Sequence, residues 1–230
     1  MNRFALALLF VSSTASAGSV KGTVLFEGEP PVQETLKRDS DPKCSKDKAD
    51  EAIVVAKGKL RDVVVRIKNG TAGKHAAPAQ TVFIDQKDCM YTPRVVGIVA
   101  GQKLLVRNSD NTFHNVWGQV ANQDVFNKPQ GPKAADLTLD PSSAKPNDVV
   151  ELKCGAHGWM HAYVAVQDHP FFSVTTADGK FEIKGLPQGK YTLEAWHPTL
   201  GAKSMQIEIG KNKRADVTAR FSYKRAEMAE

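Results

Sequence analysis

The stretch TTADGKFEIKGLPQGKYTLEAWHP, Thr175–Pro198, shows most clearly how this chain folds. Phe181 and Ile183 alternate with charged residues, and the same spacing of apolar residues returns from Tyr191 to Ala195. A period of two places the apolar side chains on one face of a β-strand. The segment Gly185–Gly189, which contains glycine and proline, separates the two runs and is typical of a turn. The stretch therefore predicts two consecutive strands, each with one buried face.

Similar apolar runs recur along most of the chain. They are Val20–Phe26, Val63–Ile67, Val95–Val99, Leu104–Val106, Val149–Leu152, Tyr163–Val166, Phe181–Ile183, Tyr191–Trp196, Met205–Ile209 and Val217–Phe221. Helical periodicity is almost absent, and at most one short helical turn is expected, around Asp47–Ala52. Many short strands separated by turn residues predict an all-β chain that is built of β-sandwiches.

Length and charge limit the classes of protein that need to be considered. A chain of 230 residues has room for two small domains or one large β domain. The 31 lysines and arginines exceed the 25 acidic residues, which gives a net charge of +6, but the surplus is spread thinly. Neither a basic helix nor a stretch that combines aromatic residues with arginine occurs. We therefore do not expect nucleic acid as a partner.

The first residues have the three parts of a secretory signal peptide. Asn2-Arg3 gives a positive start, Ala5–Val11 an apolar stretch, and Ala15-Ser16-Ala17 a site of small residues. We expect cleavage after Ala17, so that residues 1–17 are absent from the mature protein; a buried N-terminal helix is the alternative. The pattern is of the bacterial kind, and it predicts a periplasmic protein. The apolar stretch is too short to span a bilayer and no longer one follows, so membrane insertion is not expected.

The C-terminal third and the start of the chain together resemble a known module. The stretch quoted above and the opening GSVKGTVLFEGEPP, Gly18–Pro31, are similar to the carboxypeptidase regulatory-like (transthyretin-like) β-sandwich. The resemblance implies a discontinuous domain of residues 18–78 and 169–222, into which residues 79–168 are inserted as a second domain. Surface loops of a sandwich accept such insertions readily. The stretch 52–78 fits either domain, and residues 223–230 are left as a tail.

Two segments of the inserted region carry metal-binding chemistry. In KCGAHGWMHAYVAV, a thiolate, an imidazole and a thioether occur within seven residues, at Cys154, His157 and Met160. In NSDNTFHNVWG, a second imidazole, His114, follows a predicted strand over Gln102–Asn108. One thiolate, two imidazoles and a weak thioether are the ligands of a blue-copper electron-transfer site. Taken singly, each residue has a simpler interpretation, because an exported cysteine is usually paired and an isolated histidine or methionine usually packs.

The order and spacing of these residues resemble the cupredoxins. The loop C-x-x-H-x-x-M is similar to that of amicyanin, and MYTPRVVGIVAGQKLLVRNSDNTFHNV is similar to the cupredoxin strands that lead to the first histidine. The resemblance covers roughly Thr81–Gln167 and implies a Greek-key cupredoxin β-sandwich. Gly158 departs from it, because amicyanin-type loops carry proline after the histidine. The resemblance implies one type 1 copper ion, with the ligands His114, Cys154, His157 and Met160.

The same resemblance assigns roles to the neighbours of the ligands. Asn115 is expected to brace the loops that carry His114 and Cys154. The downstream histidine, His157, is usually exposed in this family, and it would then be the exit route of the electron. Trp117 and Trp159 could form an apolar docking patch around it, although large aromatic residues are as often part of the core.

The three cysteines, Cys44, Cys89 and Cys154, have to be divided between pairing and metal binding. In an oxidising compartment two of them are expected to pair. Only Cys154 has a histidine three residues on, so it is taken as the odd thiol. Cys44 and Cys89 are then left as a predicted disulfide, which would tie the loop after the first strand to the inserted domain. Two unpaired thiols remain the alternative, because no spacing rule fixes their contact.

Two further histidines could contribute to the site. His161 follows Met160 and lies four residues after His157, a spacing known from helical zinc sites. The glutamate of the H-E-x-x-H motif is absent, and Gly155 and Gly158 disfavour a helix. His197 follows a predicted strand and has no partner that the sequence identifies. Both residues stay open as ligands.

These observations predict an exported type 1 copper protein that carries single electrons between protein redox partners. The alternative is a periplasmic copper-binding protein for storage, delivery or resistance. We do not expect an enzyme, because copper oxidases and nitrite reductases need a second copper site, and this sequence contains none of the His-x-His pairs of the multicopper oxidases. The oligomeric state is left open.

Overall fold

The computed structural model describes residues 17–69, 71, 75–141, 144–210 and 217–224. The signal-peptide residues 1–16 and residues 225–230 of the predicted tail lie outside this part of the chain. The described part contains one 3-10 turn, Pro42–Cys44, and is otherwise built from strands and loops. The all-β class and the division into sandwiches are confirmed. The strands are β1 (Gly18–Glu27), β2 (Val55–Ala56), β3 (Lys59–Leu60), β4 (Val64–Asn69), β5 (Val82–Lys87), β6 (Met90–Thr92), β7 (Val95–Val99), β8 (Leu104–Asn108), β9 (His114–Val120), β10 (Gln123–Gln130), β11 (Leu137–Leu139), β12 (Val149–Lys153), β13 (His161–Gln167), β14 (Phe172–Val174), β15 (Lys180–Leu186), β16 (Gly189–His197), β17 (Gly201–Ile209) and β18 (Val217–Lys224).

One sandwich is formed by strands from both ends of the described chain. Its first sheet has the order β15-β1-β3-β2, with β18 parallel to β1, and its second has the order β14-β4-β16-β17. The alternating apolar residues of the two sheets share one core, which includes Val24, Ile67, Leu193 and Phe221. Ile53 and Leu60 also belong to this core, so much of the stretch 52–78 packs here. The domain boundaries stay a prediction.

The other sandwich is formed by the strands between these ends. Its sheets have the orders β10-β9-β12-β13-β7 and β11-β8-β5-β6. Their inner faces share a second core, which includes Ile84, Val106, Leu152 and Val164. Within the first of these sheets β9 pairs with β12, and this pairing brings the two metal-binding segments together.

The loop after β1 folds back on itself and covers part of the second sandwich. Thr35 and Ala49 form a bridge, and the Asp50 amide donates to the Glu34 carbonyl over 2.7 Å. These extended pairings engage the backbone of residues 48–50, and residues 47–52 contain no helical turn, so the turn expected at Asp47–Ala52 is wrong. We call residues 35–49 the cap segment. Among the described residues, no helix is long and apolar enough to cross a membrane.

A disulfide between Cys44 and Cys89 fixes the cap segment to the second sandwich, as the sequence predicted. The two Cα atoms are 5.6 Å apart, and both residues are buried in the second core. Cys154 is a free and buried thiol. The disulfide therefore holds the cap segment next to the candidate ligands.

Candidate metal centre

Three of the predicted ligands meet at one end of the β9–β12 strand pair. His114 is the first residue of β9, and Cys154 directly follows β12. The strands run antiparallel with Lys153 opposite Trp117, so the end of β12 lies beside the start of β9. His157 lies in the tight turn that leads to β13, where its amide faces the Cys154 carbonyl at 3.3 Å. The strand pairing and one turn thus bring the side chains of His114, Cys154 and His157 together.

The donor atoms of these residues are close together and buried. Cys154 Sγ is 3.8 Å from His114 Nδ1 and 3.6 Å from His157 Nδ1, and the two Nδ1 atoms are 3.0 Å apart. His114, Cys154 and His157 are 0%, 2% and 2% exposed. Ligands bound at about 2.0–2.3 Å in a trigonal plane lie about 3.5 Å from one another. The spacing therefore fits a single ion between the three atoms.

The far side of each imidazole faces a carboxylate. His114 Nε2 is 3.0 Å from Asp110 Oδ2, and His157 Nε2 is 3.1 Å from Asp41 Oδ2. An ionised carboxylate only accepts hydrogen bonds, so each Nε2 carries the proton and each Nδ1 presents a lone pair. Two lone pairs 3.0 Å apart repel one another, and a proton or a metal cation between them removes the repulsion. The hydrogen-bond pattern thus leaves both Nδ1 atoms, beside the Cys154 sulfur, available to a cation.

The protonation states in the site favour metal binding. Burial lowers the pKa of His114, although Asp110 acts against this shift, and the neutral imidazole is the form that binds metal. Hydrogen bonds from the Thr112 hydroxyl and the Lys43 amide, together with His157, hold the pKa of Asp41 below its usual value. Burial, with Cys154 nearby, raises the pKa of Tyr91, which stays a neutral donor to the Lys153 carbonyl at 3.1 Å.

Met160 and Asn115 lie next to these residues. Met160 is 0% exposed and belongs to the same hydrophobic cluster as Cys154, and its amide donates to the His157 carbonyl over 2.9 Å. Asn115 Oδ1 accepts from the Gly155 amide over 2.7 Å and lies 3.5 Å from Cys154 Sγ. Its amide nitrogen donates to Asn127 over 2.8 Å. The Asn115 side chain therefore connects the start of β9 with the loop after β12.

The expectation that His157 is exposed is wrong. Its imidazole is covered by the cap segment: besides Asp41, Cys44 Sγ lies 3.6 Å from its Nε2 atom. Trp159 packs beside it with 5.1 Å between the ring centroids, and the Arg38 guanidinium lies 5.7 Å from the Trp159 ring. Since the imidazole has no open face, a docking patch centred on it is not supported.

His161 and His197 lie outside the three-residue group. His161 Nδ1 is 3.0 Å from Glu151 Oε1, and its Nε2 is 3.0 Å from the Gly158 carbonyl. His197 is buried in the first sandwich, where its Nδ1 accepts from the Thr199 amide over 3.1 Å. Trp117 is partly buried and donates to Asp124 over 2.8 Å.

Asp41 and Asp110 are the members of the site that the sequence analysis missed. Asp110 lies four residues before His114 in NSDNTFH, and a polar residue so close to a predicted ligand is a signal that could have been used. Asp41 gives no such signal, because it lies 116 residues from His157 along the chain. Only the folding of the cap segment brings the two together.

Comparisons with known proteins give partial matches. The β-sandwich domain of subunit 7 of the ER membrane protein complex matches residues 158–229, and this family is not the carboxypeptidase regulatory-like one. The match covers less than half of the chain, so it establishes no family for the whole. Among the curated proteins, none matches significantly.

Solved copper proteins are similar to part of the chain. A purple cupredoxin from Nitrosopumilus maritimus is 20% identical, with 37% of this chain and 99% of that one covered and a TM-score of 0.32. Amicyanin from Paracoccus versutus is 18% identical, with 45% and 97% covered and a TM-score of 0.32. A copper-containing nitrite reductase from Thermus scotoductus is 17% identical, with 42% and 24% covered and a TM-score of 0.32. We draw no functional conclusion from similarities of this size.

Proposed function

We propose that this chain is an exported type 1 copper protein that carries single electrons between protein partners and is not itself an enzyme. The observation that carries the proposal is the convergence of one cysteine sulfur and two imidazole nitrogens, 3.0–3.8 Å apart and buried. Thiolate and imidazole in a trigonal arrangement, with a weak thioether, form the donor set of blue-copper sites.

The chain's residues have separate tasks in this function. Cys154 as a thiolate and the Nδ1 atoms of His114 and His157 would hold the ion, and Met160 would supply the weak fourth ligand. Copper, when bound, supplies one-electron redox chemistry. The surrounding core excludes water from the donor atoms, and such a site needs no substrate pocket. The Cys44–Cys89 disulfide is in keeping with an oxidising compartment such as the periplasm.

The test is a titration of the metal-free mature protein, residues 18–230, with Cu(II), followed by visible and EPR spectroscopy. We expect an intense blue band and a narrow copper hyperfine splitting that saturate at one equivalent. Cys154→Ser should abolish the band while the circular dichroism stays unchanged, because only the sulfur gives the charge-transfer transition. His161→Gln is the matched control, since it removes a histidine outside the donor group and should leave the band intact.

The remaining outcomes decide between the proposal and its alternative. A colourless protein that binds Cu(I) tightly would support storage, delivery or resistance in place of electron transfer. A Cys154→Ser protein that stayed blue would refute the ligand assignment. Failure to bind either ion would refute a copper function altogether.

A further inference from the structure

We propose that the Cys44–Cys89 disulfide is a functional part of the metal centre, because it holds Asp41 and Asp110 against the two histidines and the two carboxylates thereby lower the reduction potential. The inference rests on the proposed copper function. Asp41 and Asp110 are positioning residues, since each acts on the metal through an imidazole.

Asp41 is fixed at both carboxylate oxygens. Its Oδ2 accepts from the Thr112 hydroxyl over 2.7 Å and faces His157 Nε2 at 3.1 Å. Its Oδ1 accepts from the Lys43 amide over 2.8 Å. The residue caps the 3-10 turn Pro42–Cys44, which ends at the disulfide. Asp41 therefore has one position, and that position is set by the cap segment.

Asp110 is fixed in a similar way on the other histidine. Its Oδ2 accepts from the Cys89 amide over 2.8 Å and faces His114 Nε2 at 3.0 Å. Its Oδ1 accepts from the Asp88 amide over 2.7 Å. One of its two backbone donors is thus the amide of a disulfide cysteine.

The disulfide joins the two supports to each other. Cys44 ends the turn that Asp41 caps, and its amide donates to the Asp41 carbonyl over 2.8 Å. Cys89 donates to Asp110. Asp41, Cys44 and His157 each have a donor atom within 4.8 Å of the others, and the same holds for Cys89, Asp110 and His114. The bridge therefore lies against both histidine–carboxylate pairs.

The electrostatic consequence follows from where the charges lie. A carboxylate that accepts from the distal nitrogen makes the imidazole a stronger donor and orients its ring. Its negative charge, which is only partly screened because the carboxylate is partly buried, favours Cu(II) over Cu(I) because the oxidised ion carries the larger positive charge. Removing either carboxylate charge should therefore raise the potential.

The experiment measures the reduction potential of the copper-loaded mature protein and its variants by spectroelectrochemistry. Asp41→Asn and Asp110→Asn keep a hydrogen-bond acceptor of the same size but remove the charge. Each should shift the Cu(I)/Cu(II) equilibrium towards Cu(I) by roughly tenfold, which corresponds to about 59 mV for one electron. Asp136→Asn is the matched control, because that carboxylate lies in the second sandwich but pairs with Arg107.

The disulfide is tested by the double variant Cys44→Ser/Cys89→Ser. We expect the reduction potential of this double variant to rise. When Asp41→Asn is added to the double variant, it should raise the potential by less than half as much as it does in the native protein, because the effects of residues that act through one another are not additive. An unchanged potential in the folded double variant would overturn the role of the disulfide, and if that variant does not fold, Cys44→Ala/Cys89→Ala takes its place in the same measurement.

A second measurement separates positioning from mere packing. In the Cu(I) protein, which is diamagnetic, the Nε2 protons of His114 and His157 should both be visible by NMR and exchange slowly with water. Asp41→Ala should abolish protection at His157 only, and Asp110→Ala at His114 only. If the potentials of Asp41→Asn and Asp110→Asn shift no more than that of Asp136→Asn, the inference is overturned, although the protein is blue and the proposed function stands. A native protein without a blue band would instead overturn the proposed function.

Discussion

His197 is a single residue whose environment sets a pH dependence. Burial, together with the positive charge of Arg94, lowers its pKa to about 3, and its Nδ1 accepts from the Thr199 and Leu200 amides. Between about pH 3 and pH 6.5 the unfolded chain binds a proton at this residue that the folded protein does not. Stability therefore falls as the pH drops through this window, and it is fully present above pH 6.5.

We predict that His197→Asn flattens this dependence. The asparagine oxygen can accept from the same amides, as it does in Asx turns, and it does not titrate. Below pH 6 the free energy of unfolding of the native protein should fall more steeply than that of the variant, by about 1.4 kcal/mol per pH unit. Urea denaturation at several pH values checks this, at equal copper content. Parallel slopes would show that His197 is protonated in the folded protein as well.

Asn115 holds the loop of the candidate metal centre through the Gly155 amide. Asn115→Ala removes the acceptor of the Gly155 amide and should lower copper affinity 10- to 100-fold, as the loss of outer hydrogen bonds at metal sites typically does. Competition titration with a Cu(I) chelator measures the change. Asn127→Ala removes only the partner of the Asn115 amide nitrogen, so its affinity should stay close to that of the native protein. Equal losses in both variants would contradict the role of the Asn115 oxygen.

Among the elements, strands with a clear apolar period could be predicted and the others could not. Each predicted run overlaps a strand, including β1, β15 and β16. Strands β9 and β10 were missed because their sequences, HNVWGQV and QDVFNKPQ, mix polar residues with single apolar ones. Their pairing with each other and with β12 supplies the stability that the local sequence lacks.

In the candidate site, too, only residues with an informative local sequence could be predicted. His114, Cys154, His157 and Met160 could be chosen because their spacing along two short segments is itself informative. The cap segment could not, because its position depends on long-range contacts. Arg38 of the cap segment illustrates this. It is buried, donates to the Lys46 carbonyl over 2.9 Å, and also contacts the Asp88 carbonyl in the second sandwich.

We predict that the cap segment depends on its disulfide. When the unsubstituted protein is denatured, one thiol should react with a thiol reagent, because Cys154 alone is unpaired. After reduction of the disulfide, three thiols should react. Cys44→Ser/Cys89→Ser should lower the free energy of unfolding by roughly 4 kcal/mol, the entropy of closing a loop of this length. Chemical denaturation measures the loss. Three reactive thiols before reduction would contradict the bridge.

At the scale of the whole molecule, a buried arginine of the first sandwich also contacts the second. Arg66 on β4 donates to Glu194 on β16 over 2.7 and 2.9 Å, and its remaining nitrogen donates to the Asn147 carbonyl over 3.0 Å, in the loop before β12. Lys68 also contacts Glu194. Arg66 and Glu194 are almost fully buried. The guanidinium therefore fixes the end of one sandwich against the other.

We predict that Arg66→Leu destabilises the protein by about 3–5 kcal/mol, because it leaves the Glu194 charge buried with only Lys68 to balance it. The double variant Arg66→Leu/Glu194→Leu should regain much of this loss, since two apolar side chains can fill the space of a buried pair. Arg107→Leu breaks the exposed pair with Asp136 and should cost less than about 1 kcal/mol.

Thermal unfolding followed at the copper band and by far-ultraviolet circular dichroism tests these changes. In Arg66→Leu both signals should shift to lower temperature and still change together, because Val64, Val95 and Ala165 form a further buried cluster that spans the two sandwiches. Separate transitions in the variant would contradict this and show that the Arg66 contact is what couples the two sandwiches.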